Sequence, residues 1–172
     1  MTATSVPASR PRALPFDVRR VLVVAAVVAL VDGLYVVGVF DWSMGATTAP
    51  RIFQGIALAL VGRELALGGG WWTALLGLAM HVGVALSWTL VWALLYGGSA
   101  RVRALVRTVP RALVAGVLYG VGVHLAMQLA ILPLTHARVS PMLSRGALLV
   151  LLAHVTVIGP PIVLLQRRAS TD

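Results

Sequence analysis

An all-α polytopic membrane protein is the fold class this sequence predicts: four transmembrane helices in a bundle, with a short interfacial or re-entrant helix on the outer side. Three observations carry it. Of the 172 residues, 59% are hydrophobic and only 11% charged, whereas soluble domains carry about 25% charged residues. Four apolar runs each reach the roughly 20 residues that cross about 30 Å of hydrocarbon. Arginines punctuate these runs instead of covering one face. The mean hydropathy of +0.94 excludes a soluble enzyme, and it excludes disorder, which requires a polar composition. In lipid the backbone must satisfy its own hydrogen bonds, so the runs are helices.

Residues 1–20 form a polar N-terminal segment with Arg10, Arg12, Arg19 and Arg20 ahead of the first run. The first span covers 21–40, interrupted by Asp32. A signal peptide is the competing reading, but no small-residue cleavage site follows and apolar sequence resumes at Leu34, so the span is expected to be retained. Within 41–70, Thr48 and Pro50 start a helix and Gly68-Gly69-Gly70 stop it, giving an outer helix at 49–67. Its apolar stretch from Ile52 to Gly62 is too short to cross, and Arg63-Glu64 follows. The second, third and fourth spans are read at 71–96, 112–133 and 146–166, and 169–172 is a short tail. No internal repeat is visible.

The net charge is +9, all 14 basic residues are Arg, and cysteine is absent. A nucleic-acid partner needs that charge on a soluble surface, and here the arginines lie at the ends of apolar runs, so the expected partner is the lipid bilayer and not nucleic acid. Without Cys there is no disulfide, thiolate nucleophile or Cys-ligated metal. With the N-terminus inside, Arg10, Arg12, Arg19, Arg20, Arg101, Arg103, Arg107, Arg111, Arg167 and Arg168 are cytoplasmic, and only Arg51, Arg63, Arg138 and Arg145 lie outside. That bias predicts both termini in the cytoplasm. Trp42, Trp71 and Trp72 then mark the outer interface, and Trp92 with Tyr96 the inner one.

Counting inward from the outer end of each span, Asp32 and His154 lie 8 residues deep and His81 and His124 lie 9, about 12–14 Å. Every span thus places one ionisable residue in a single layer. Ionisable groups in hydrocarbon are costly and face the bundle interior. Such a layer relays protons or ions, since imidazole titrates near neutral pH; or it holds a metal on His81, His124 and His154; or two His ligate a haem; or it is interhelical glue. No HExxH or other tight ligand spacing selects a metal, and the sequence names no cofactor. No Ser/His/Asp order, paired carboxylates or phosphate-cradling loop appears, so catalytic residues are not expected.

Gly116, Gly120, His124 and Gln128 recur every four residues on one stripe of the third span. Gly116 and Gly120 form a GxxxG motif that permits close helix approach, within the chain or toward a second copy or another membrane protein. Gln128 makes the outer end of the stripe polar, suiting a cavity that opens outward and to which Thr156, Arg63 and Glu64 contribute. Pro160-Pro161 remove two backbone donors and free the carbonyls of Thr156 and Val157. Trp88, Trp92 and the glycine contact seal the inner half. His136 falls in an outer loop and is given no role.

The arrangement resembles a known family. A basic N-terminus and first span lead to a long outer segment. A second span with Leu78-Ala79-Met80-His81-Val82-Gly83 follows. The third carries Gly116-Val117-Leu118-Tyr119-Gly120 and Val123-His124, running to Leu132-Pro133-Leu134, and the fourth carries Ala153-His154. It is similar in these respects to the YagU-like family of small bacterial inner-membrane proteins, over most of residues 20–168. The resemblance implies a four-helix protein of the bacterial inner membrane. It supplies no catalytic or ligand-binding residues, and the outer segment with Arg63 and Glu64 has no clear counterpart.

Overall fold

A computed structural model describes residues 16–44 and 48–167, with the side chains of 40–44 excluded. Arg10, Arg12, Arg168, the 169–172 tail and the side chain of Trp42 lie outside the described residues. The chain is all helical among them. Helix α1 spans Val18–Met44, α2 Ala49–Val61, α3 Arg63–Gly68, α4 Gly70–Gly98, α5 Ala100–Leu105 and α6 Val109–Ala126. Helix α6 runs on through a π turn at Met127–Ile131 and a 3-10 turn at Leu132–Leu134. Helix α7 (Arg145–Ala153), a π turn at His154–Ile158 and α8 (Gly159–Gln166) together make the last long element. Four segments are long and apolar enough to cross a membrane: Val18–Val39, Gly70–Gly98, Val109–Leu134 and Arg145–Gln166. They match the four predicted spans, and the chain is an integral membrane protein.

Local chemistry explains the boundaries. Pro50 and Pro110 occupy first-turn positions of α2 and α6, where a missing N–H costs nothing. Ser99 and Ser144 cap α5 and α7, accepting from the backbone N–H of Val102 and Ala147. The outer helix expected at 49–67 is two helices. Gly62 adopts φ +79° and breaks it, a conformation that L side chains avoid. Gly70, at φ +58°, turns the chain directly into α4.

Starts of the first and third spans and ends of the second and fourth meet at one Arg-rich end. There Arg20 Nε donates to the Leu165 carbonyl at 3.0 Å, and Arg167 donates to the Arg107 carbonyl at 3.0 Å. At the other end the Tyr35 hydroxyl donates to the Leu149 carbonyl at 2.9 Å, tying the first span to the fourth. The core between is small and apolar, with Val24, Val28, Ala85, Trp92, Val106, Ala112, Ile162 and Val163 packed together. Many leucines and valines face outward, as lipid requires.

Glycine sets the two tightest crossings. A Cβ on Gly77 would run into the Phe53 carbonyl of α2, so α2 lies directly on α4. A Cβ on Gly120 would run into the His154 carbonyl, and one on Gly116 would stand 2.5 Å from Pro160 Cα. The GxxxG face is therefore filled from within the chain by the fourth span, close packing of the kind small residues give in membranes. Trp92 corrects one expectation. It does not mark an interface: it is 5% exposed and packs on Tyr119 with ring centroids 5.1 Å apart. Helix α4 extends to Gly98, which puts Trp92 well inside the bundle on its core-facing side.

Candidate functional site

The four ionisable residues form two pairs. The first joins the first two spans, with His81 Nδ1 3.8 Å from Asp32 Oδ2 and their side chains 9% and 15% exposed. His81 Nε2 lies 2.9 Å from the Ala29 carbonyl. A carbonyl only accepts, so Nε2 must carry the proton. Nδ1 then faces a carboxylate, and two bare lone-pair atoms would repel. With nothing bridging the 3.8 Å between them, the two groups face each other favourably only when one further proton is present, either on Nδ1 opposite an ionised Asp32 or on Asp32 itself. Phe53 of α2 closes the site, its ring edge-on to His81 with centroids 5.9 Å apart.

The second pair joins the third and fourth spans. His124 and His154 meet edge to face with centroids 5.3 Å apart. His154 Nδ1 donates to the Val150 carbonyl at 2.7 Å, leaving its Nε2 as an acceptor. His124 and Gln128 are 3% and 6% exposed, and His124 Nδ1 and Gln128 Oε1 have no hydrogen-bond partner among the described residues. Leaving such groups unsatisfied costs roughly 1–3 kcal/mol each. Gln128 and His154 sit in irregular backbone. Gln128 lies in the π turn of the third span and His154 opens that of the fourth; π turns recur at functional sites.

Other expected members are placed differently. Thr156 faces outward, and its hydroxyl donates to the Leu152 carbonyl of its own helix at 2.6 Å, so it lines no shared cavity. Two residues beyond the buried His154, it falls on the opposite face of the helix. Arg63 and Glu64 are exposed on α3 and His136 is exposed in its loop. No group of three His, Asp or Glu among the described residues is placed to hold a metal, so His81, His124 and His154 do not form one ligand set. The edge-to-face contact of His124 and His154 leaves no gap for a porphyrin between them.

Sequence reasoning missed several polar residues. Gln54 is buried in α2, donating to the Gly70 carbonyl at 2.8 Å and accepting from Arg51 at 3.1 Å. Its isolation in an apolar run was the available signal. In the Arg-rich half, Gln166 donates to the Thr89 carbonyl at 2.9 Å, while Thr89 Oγ1 and Trp92 Nε1 are buried without a partner among the described residues. No protein-family model, curated protein or solved structure matches the chain. The YagU-like resemblance rests on its sequence motifs alone.

Proposed function

We propose that this integral membrane protein handles protons, with the Asp32–His81 pair as the group that takes one up and His124, His154 and Gln128 as polar neighbours in the same half of the bundle. One observation carries the reading. The Ala29 carbonyl fixes the His81 tautomer, so a direct pairing with Asp32, without a bridging donor, needs a shared extra proton. Intramembrane Asp and His that pair with one another are the usual elements of proton relays. Nδ1 of His124 and Oε1 of Gln128, without partners among the described residues, offer further positions for water or a transported polar solute.

Arg bias orients the molecule with both termini in the cytoplasm and the Asp/His half toward the outside, in a bacterial inner membrane. On the opposite side the apolar core around Val28 and Ile162 and the Tyr119 hydroxyl on the Trp88 carbonyl form the barrier. An accessory role in which the protein assembles with others through Gly116 and Gly120 has less support, because the fourth span, from its π turn into α8, occupies that face. Proteoliposomes enclosing a pH-sensitive dye test the function. Wild type should dissipate an imposed pH gradient faster than a His81→Ala, His124→Ala double variant. Equal flux in the two would return both pairs to a role as interhelical contacts.

A further inference from the structure

At the Arg-rich end, far from the Asp/His layer, a cavity of about 330 Å³ is lined by Asp17, Arg20, Tyr96, Arg103 and Gln166, among others. Both guanidiniums are held in place. Arg20 donates through Nε to the Leu165 carbonyl and through one terminal nitrogen to the Arg167 carbonyl, at 3.0 and 3.2 Å. Arg103 donates through one terminal nitrogen to the carbonyls of Tyr96 and Gly97, at 3.0 and 2.8 Å. A guanidinium has five N–H donors. The other terminal nitrogen of Arg20, and Nε and the other terminal nitrogen of Arg103, remain unused among the described residues. Fixed guanidinium donors lining one cavity suit a phosphate.

Charge balance narrows the ligand. The two arginines cap the C-terminal ends of α8 and α4, each carrying about half a negative charge. Asp17 adds a full negative charge at the cavity rim, where Oδ1 accepts from the Arg20 backbone N–H at 3.3 Å. Asp17 thus sets one carboxylate beside the two guanidiniums, an arrangement that favours a group carrying both signs over a bare anion. A second cavity of about 360 Å³ shares Asp17 and Arg20 and continues along Val23, Val27 and Leu165 on the lipid-facing side, with Arg19 at its mouth. These three apolar side chains are exposed.

We infer that the two cavities together bind a phospholipid whose head carries a phosphate and a primary amine. Arg20 and Arg103 take the phosphate, Asp17 takes the ammonium, and one acyl chain follows Val23, Val27 and Leu165. A basic pocket between spans at the membrane surface is the setting in which lipid heads are recognised.

Native mass spectrometry of the whole protein, released from micelles doped with one lipid at a time, tests this. Phosphatidylethanolamine should be retained roughly twofold to fivefold over phosphatidylcholine, whose head has no N–H, the range an exposed ammonium–carboxylate pair supplies. Asp17→Asn should abolish that preference and Arg103→Gln should weaken retention of both lipids. Val27→Trp, a change at an exposed position, should block the groove and weaken retention without touching the head site. Phosphatidylglycerol binding as well as phosphatidylethanolamine would overturn the proposal in favour of general attraction to anionic lipid. Full competition by inorganic phosphate or soluble glycerophosphoethanolamine would overturn the lipid assignment.

Discussion

Replacing Gly120 by Ala adds one methyl group where the third and fourth spans are closest. That methyl would overlap the His154 carbonyl, and its neighbour would be Val155 Cα, so backbone and not a rotatable side chain stands in the way. The helices must part. Overpacking of this kind costs about 1–3 kcal/mol, offset by at most about 1 kcal/mol from removing a helical glycine. The net expectation, taken at the upper end because two backbones collide, is a loss of about 2 kcal/mol. Gly122 is the internal control: it lies in the same helix, and nothing stands within 4 Å of the point where its methyl would sit. Gly122→Ala should be neutral or stabilising by up to about 1 kcal/mol. Reversible unfolding in mixed micelles, followed by tryptophan fluorescence, should separate the two variants by about 2–3 kcal/mol, or roughly thirtyfold to a hundredfold in the folding equilibrium. Equal stability would refute the packing argument. Loss of an oligomer with no change in protomer stability would show that the glycine face joins separate chains.

Trp92→Phe should change stability by less than about 1 kcal/mol, because the indole N–H is buried without a partner and its removal leaves nothing unpaired; Trp92→Ala should cost about 3–5 kcal/mol in the same unfolding assay. Asp32→Asn should keep the fold, since the new amide donates to His81 Nδ1, while eliminating the extra proton and the flux in proteoliposomes; retained flux would exclude Asp32 from the path. In this Cys-free chain, Ser99→Cys should react with a membrane-impermeant maleimide only after the cytoplasmic side is opened, and labelling from the outside alone would invert the topology.

Spans were legible because length, hydropathy and Arg placement are one-dimensional quantities. Depth was legible for the same reason: counting from span ends placed Asp32, His81, His124 and His154 in one layer. The pairing was not legible, since it depends on which spans are neighbours and on how each helix is rotated. Trp92 shows the same limit. Its position near a span end suggested an interface, whereas its direction, toward Tyr119, is set by packing. The π turn before Pro160-Pro161 follows from carbonyls that proline leaves without donors, and Pro133 frees the Leu129 carbonyl in the third span in the same way. That signal was in the sequence. The Arg-rich cavity was not, because it assembles residues 17–20, 96–103 and 166 from four helix ends.

The central claim is that Asp32 and His81 share one extra proton. Solid-state NMR of the protein in bilayers near neutral pH reads it directly, through the ¹⁵N shifts of the His81 ring and the ¹³C shift of the Asp32 carboxyl. The account predicts a protonated Nε2 together with either a protonated Nδ1 and an ionised carboxylate, or a bare Nδ1 and a protonated carboxyl. A bare Nδ1 facing an ionised Asp32 would contradict it.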